Sequence, residues 1–184
     1  MITGNRLSEE FDRRIFNRLD MTSSYLPDSP EIKGEYTHGY AYTGQDNDEP
    51  PDPDDYYDVT EYLDPSVIWA SGAIISNLED LRVWAQALAE GELLDCSTQE
   101  ERLEWIEVPG GEGILKYGLG MLYLGGLLGH NGQVPGYLCS MFYFPQEDAT
   151  IVVLANATGA ELSTYHQELV MRIARILFPG EVPW

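Results

Sequence analysis

The sequence predicts an α+β fold: an antiparallel β-sheet flanked by terminal helices, with a helical region between them. Three observations predict it. Residues 117–156 read as consecutive strands; within them Tyr137–Phe144 is rich in aromatics, Pro145-Gln146-Glu147-Asp148 supplies a turn, and Ala149–Ala155 is a short apolar run suited to a buried strand. Both ends carry apolar residues at helical spacing, Leu7, Phe11, Ile15 and Leu19 at one and Leu162, Tyr165, Leu169, Ile173 and Ile176 at the other. The middle holds two helix-start signals followed by apolar periodicity. Strands joined by tight turns pair antiparallel, and helices laid on such a sheet make an α+β layer.

In order, residues 8–18 form the first predicted helix, with Ser8, Glu9 and Glu10 where free N–H groups and the helix dipole favour acceptors and anions. Pro27 and Pro30 end regular structure, and the tyrosine-rich stretch 34–44 has room for a short strand. Residues 45–64 differ in kind. Nine carboxylates and three prolines fall between Asp46 and Asp64, which predicts an exposed inserted loop. An EF-hand reading of residues 46–55 fails, because the glycine at the sixth position and the terminal glutamate are both missing. Ser76-Asn77-Leu78-Glu79 reads as a capping box for a helix that buries Leu81, Trp84, Ala85 and Leu88 and stops at Gly91. Ser97-Thr98-Gln99-Glu100 repeats the box for a shorter helix through about Ile106. Strands are expected at 117–123, 127–130, Tyr137–Phe144 and Ala149–Ala155, and a closing helix at 162–177, stopped by Pro179-Gly180.

Composition removes several classes of function. The chain has 184 residues, 43% of them hydrophobic, enough for one domain with a core. Ten basic residues against 31 acidic ones give a formal charge of −21, which argues against nucleic acid and anionic membrane surfaces as partners. No run is long and apolar enough to span a membrane, and no basic segment followed by an apolar one opens the chain, so no export signal is expected in it. Cys96 and Cys139 establish neither a disulfide nor a metal cluster, and no metal or cofactor is expected.

The strongest functional clue is Gly129-His130-Asn131-Gly132-Gln133, a polar knot where a strand would otherwise seek packing. By itself it suits a polar turn between strands. Its context resembles a known family. Residues 129–137, followed by Phe142-Tyr143-Phe144-Pro145 and by residues 152–156, are similar to the third active-site motif and terminal strands of penicillin-recognising serine hydrolases. That branch holds class C β-lactamases, D-alanyl-D-alanine carboxypeptidases and related esterases, which carry Lys-Thr-Gly or His-x-Gly on a strand forming one wall of the site. Residues 15–22, His38-Gly39-Tyr40 and residues 70–81 also have counterparts there, in the same order, so the resemblance covers most of the chain except the acidic insert. It implies a β-lactamase/DD-peptidase-like fold, with residues 1–184 as the C-terminal part of one domain and 45–64 inserted.

The resemblance also assigns roles. The residue at the His130 position interacts with the substrate carboxylate and with the catalytic serine–tyrosine network. Asn131, where threonine is commoner, has an amide able to bond a carboxylate or hydroxyl; Gly132 lets substrate backbone lie against the strand; and the Gln133 N–H supplies one oxyanion donor. Trp69 is a candidate for the pocket wall, whereas His38 and His166 read as structural or exposed.

The family's mechanism needs a serine activated by a lysine three residues later, and a Tyr-x-Asn or Ser-x-Asn element. Neither pattern occurs: three residues before Lys33 and Lys116 stand Pro30 and Gly113, and no tyrosine or serine has an asparagine two positions on. A Gly-x-Ser-x-Gly elbow is also absent. The expectation is a fragment of a serine hydrolase, inactive alone, whose substrates once completed are D-alanyl peptides, β-lactams or small esters. The alternative is a non-catalytic binding module built on half of the fold. An extracytoplasmic location follows only if the complete protein is exported.

Overall fold

The computed structural model describes residues 3–42, 53–62, 64–159 and 164–182. The chain opens with helix α1 (Leu7–Phe11), which runs into a π-helical turn at Asp12–Phe16. Glu9 reaches back to accept the Arg6 N–H at 3.1 Å, and Phe16, Leu19 and Met21 are buried in a small cluster with Ala87. The expected continuous helix over 8–18 is therefore an α-turn plus a wider turn that rotates Phe16 inward.

Strand β1 (Tyr40–Tyr42) pairs antiparallel with β2 (Tyr56–Asp58). The second half of the acidic insert is thus partly strand rather than loop, because Tyr56 stacks beside Tyr42 with ring centroids 5.4 Å apart. Residues 43–52 and 63 lie outside the described residues. A short helix, α2 (Pro65–Ile68), leads to a 3-10 turn at Trp69–Ser71.

Helix α3 (Leu78–Glu90) starts one residue later than the capping box places it. Asn77 is the cap, its Oδ1 accepting the Asp80 N–H at 2.9 Å. Ser76 instead bonds Ser24 at 2.7 Å, and Glu79 pairs with Arg82. Ala85 and Leu88 are buried as expected, and Gly91 closes the helix at φ +73°, a left-handed conformation natural to glycine. Helix α4 (Cys96–Arg102) deviates in the other direction: it is capped two residues upstream of its box, by Asp95, which accepts the Thr98 N–H at 2.9 Å. It ends at Arg102, so Ile106 falls in the next strand.

Six antiparallel strands follow in meander order: β3 (Ile106–Glu107), β4 (Leu115–Tyr117), β5 (Leu122–Leu124), β6 (Leu127–Val134), β7 (Tyr137–Phe144) and β8 (Ala149–Ala155). The strand expected at 117–123 is two strands with a tight turn between them. Gly118 donates to Met121 O at 2.8 Å, and Gly120 takes φ +69°. The strand expected at 127–130 continues to Val134, so the polar knot lies within a strand and the turn comes at Pro135-Gly136.

Strand β9 (Ala157–Thr158) leaves this sheet and pairs parallel with β1, forming a three-stranded second sheet in the order β2-β1-β9. Helix α5 (Tyr165–Leu177) closes the described chain; Leu162 lies outside it. Alternate residues of the central strands point to opposite faces. Leu127, Phe142, Phe144 and Ile151 meet Val170 and Ala174 of α5 on one face, while Tyr143 of β7 points the other way and donates to Glu90 of α3 at 3.1 Å. The buried stripe of α5 is His166, Val170 and Ala174. Tyr165, Leu169 and Ile176, expected on the packed face, are exposed, about a quarter-turn from it. Ile173, also expected there, is partly buried against the same core, so the face the apolar periodicity marks overlaps only in part with the face this chain covers.

Candidate functional site

The polar knot sits in the outer half of β6. On one side β7 pairs along its whole length, His130 opposite Met141, Asn131 opposite Ser140, Gly132 opposite Cys139 and Gln133 opposite Leu138. On the other side β5 is shorter and its pairing stops at Gly129. From His130 to Val134, therefore, no strand among the described residues pairs with that edge of β6. That edge is open to another extended chain or ligand, although the Asn131 carbonyl within the segment is already contacted by the His130 ring.

The two glycines of the motif serve different ends. A Cβ on Gly129 would sit 2.0 Å from Met141 O, so this glycine is required by the close approach of β7. A Cβ on Gly132 would meet nothing within 4 Å. The surface above Gly132 is open, and only the lack of a side chain keeps it flat.

His130 is held at both ring nitrogens. Nε2 lies 2.9 Å from the Tyr117 hydroxyl, the two rings meeting edge to face, and Nδ1 contacts the carbonyl oxygen of Asn131. A carbonyl only accepts, so Nδ1 is the donor in that contact, and the Tyr117 hydroxyl, which both donates and accepts, can partner Nε2. Asn131 turns toward α5, where its Nδ2 donates to Gln167 Oε1 at 2.8 Å. Neither Tyr117 nor Gln167 is singled out by sequence reasoning. Tyr117 reaches His130 only because Gly118–Met121 folds as a turn, and Gln167 lies 36 residues from its partner.

Beyond the knot, Gln133, Val134 and Pro135 line an open depression of about 740 Å³ together with Tyr42 and Thr158 of the small sheet. Trp69 is exposed, at 59%, on a backbone with φ +43°, unusual for a bulky residue. Its turn abuts the end of β6: Gly72, three residues on, faces Val134, and a Cβ there would lie 3.6 Å from Val134 Cγ1.

His38 lies outside the knot. Its Nδ1 is 2.7 Å from Asp58 Oδ2, and Asp58 Oδ1 accepts the Thr60 hydroxyl at 2.6 Å. Those Thr60 bonds, and then His38, hold the Asp58 carboxyl down at about 2. His166 is buried at the α5–sheet interface, where burial lowers its pKa. Of the two lysines, Lys116 pairs with Glu107 at 3.1 Å and Lys33 lies over the Tyr25 ring. Among the described residues no three His, Cys, Asp or Glu side chains converge as a metal site. No helix there is long and apolar enough to cross a membrane.

A profile of one family, described as Beta-lactamase, matches residues 2–175. The chain belongs to the β-lactamase family. Among solved structures, a D-amino acid amidase from Ochrobactrum anthropi SV3 complexed with D-phenylalanine superposes with a TM-score of 0.75 at 25% identity, over 96% of this chain and 52% of that one. A D-stereospecific amidohydrolase from Streptomyces sp. gives 0.73 at 23% identity, over 85% of this chain and 45% of that one. A penicillin binding protein from Bacillus halodurans gives 0.70 at 19% identity, over 96% and 51%. The last two likenesses are of fold. The family member described here therefore spans about half the length of the solved structures it matches, and its α+β architecture is theirs.

Proposed function

We propose that this chain supplies the substrate-binding wall of an acyl-transfer serine hydrolase, the C-terminal part of one such domain, and that it catalyses only with the segment carrying Ser-x-x-Lys and Tyr-x-Asn. The observation that carries the reading is the free edge of β6 from His130 to Val134, beside an open Gly132. An acyl group laid along that edge receives backbone hydrogen bonds, with the Gln133 N–H as one oxyanion donor. His130 and Tyr117 form a polar pair at the start of the edge, able to pass a proton or hold a polar substrate group. Trp69 contributes one rim of the same wall. An attack on a carbonyl needs an activated nucleophile, and both lysines of this chain are engaged elsewhere. The substrates in view are D-alanyl peptides, β-lactams, small esters and, from the names of the amidase neighbours, D-amino acid amides.

Fluorophosphonate and penicillin probes should not label the isolated chain. With the missing half fused or added in trans, labelling should map to that half's serine. His130→Ala in the completed enzyme should then lower turnover far more than His38→Ala. Stoichiometric labelling of one serine of the present chain would overturn the proposal.

A further inference from the structure

Histidine is the side chain whose charge changes in ordinary media, and burial against an apolar face makes its charged form costly. His166 is only 3% exposed, and its Nδ1 has no hydrogen-bond partner among the described residues. Helix α5 lies along β7: Gln167 meets Asn131, the register partner of Ser140, near one end, and Phe178 packs edge to face on Phe144 at the other. His166 therefore lies at the Ser140 end, one turn before Val170 in the buried stripe. No anion faces it there. On the side of the sheet turned to α5, this end offers Asn131 and Gln133 of β6, Ser140 of β7 and Val153 of β8, and none of them titrates. Further along, the same side of all three strands carries no titratable group. Tyr165, Glu168, Arg172 and Arg175 of α5, and Glu181 beyond it, are exposed. The helix dipole adds to the cost, because His166 is the second residue of α5, at its positive end.

We propose that His166 makes the first turn of α5 a proton-sensitive latch on β6: taking up a proton drives the ring off the sheet, and Gln167 leaves Asn131 with it. The neutral ring holds the turn closed. The charged ring is stable only in water, so the turn opens in acid, while Val170 and Ala174 keep the rest of the helix in place. The sign follows from burial, which lowers the His166 pKa in the closed form below its ordinary 6.5. The latch is at full strength above that ordinary value and weakens as the pH falls toward the closed-form one. Between the two values opening takes up one proton, so the opening constant grows about tenfold per pH unit. The strand that loses its backing is the one with the open edge, and this holds whatever β6 binds.

The test is amide exchange of the full chain, followed by ¹H–¹⁵N NMR between about pH 7 and about pH 5, above the ordinary carboxylate range. The Gln167 and Glu168 N–H groups both donate to Thr164 O, and that of Phe178 donates to Ala174 O. Protection at Gln167 and Glu168, relative to the intrinsic rate at each pH, should fall by about tenfold per unit, and Phe178 should keep its own. His166→Leu removes the titrating group and forfeits no Nδ1 hydrogen bond, so protection at Gln167 and Glu168 should no longer change with pH. His166→Gln, polar but never charged, should behave in the same way, and it decides the matter if the first variant fails to fold. Constant protection at Gln167 and Glu168 in the natural chain, an equal loss at Phe178, or a pH dependence that survives in a folded variant would overturn the proposal.

Discussion

The two sheets are built in opposite ways. Each strand of the six-stranded sheet pairs with its neighbour in sequence, and its core is continuous, with Phe142, Phe144, Leu127 and Val170 essentially sealed from solvent. The three-stranded sheet joins β1 to β9, more than a hundred residues away, by a parallel pair two residues long. Polar side chains tie it together: Asn156 Nδ2 donates to His38 O at 2.9 Å, the Tyr137 hydroxyl to Thr37 O at 3.0 Å, and Asp58 braces His38 and Thr60. One sheet is a hydrophobic unit that opens as a whole; the other is a hydrogen-bonded clasp able to open locally. The depression beside Gln133 lies at the seam between them, lined from one side by β6 and from the other by Tyr42 and Thr158.

The contrast breaks most directly at Phe142. Phe142→Ala removes the ring at the centre of the large core and should cost about 3–5 kcal/mol in a urea titration, with the far-UV and near-UV signals lost together. Separate transitions would mean that the sheet is not one unit. A smaller loss, about 1 kcal/mol, is expected for Asn77→Ala, which removes the cap of the helix packed on the second face.

The small sheet should respond differently. Asp58→Asn should leave the urea midpoint where it was and speed amide exchange at Gly39 and Thr60. The carboxyl of Asp58 is held below its ordinary value of 3.8, at about 2, so its contribution is complete above pH 4 and is lost as the pH falls through 2. Protection of the Thr60 amide, its exchange rate relative to the intrinsic rate at each pH, should fall over that interval in the natural chain and stay unchanged there in Asp58→Asn. The mildest probe is the cysteine pair. Cys96 is exposed, whereas burial pushes the Cys139 thiol up to about 11. A thiol reagent near neutral pH should modify Cys96 promptly and Cys139 only when the strand beside Gly132 opens.

Legibility in the sequence follows the same division. Tyr137–Phe144, Ala149–Ala155 and their turn were readable because period and punctuation there are local. The helix starts were misplaced by one or two residues because Asn77 and Asp95 cap as well as serine does, and Ser76 is drawn away by Ser24, fifty-two residues earlier. The α5 stripe was misjudged for a deeper reason: apolar spacing shows which residues avoid water, not which surface in this chain covers them. Within the candidate site, local composition and resemblance single out His130, Asn131, Gly132 and Gln133. Their partners Tyr117 and Gln167 depend on a turn and on a helix docking that no local pattern encodes.

The far edge of β8 has a consequence for handling the protein. It ends the six-stranded order, no strand among the described residues covers it, and exposed Leu154 lies along it. Such an edge is sticky toward another copy of itself, and here the formal charge of −21 opposes that contact. That repulsion vanishes near the isoelectric point of about 4.1 and is weakened by salt. The chain should therefore be colloidally robust in dilute neutral buffer and turn cloudy in mild acid, at a pH where Asp58 is still ionised and the fold itself is intact.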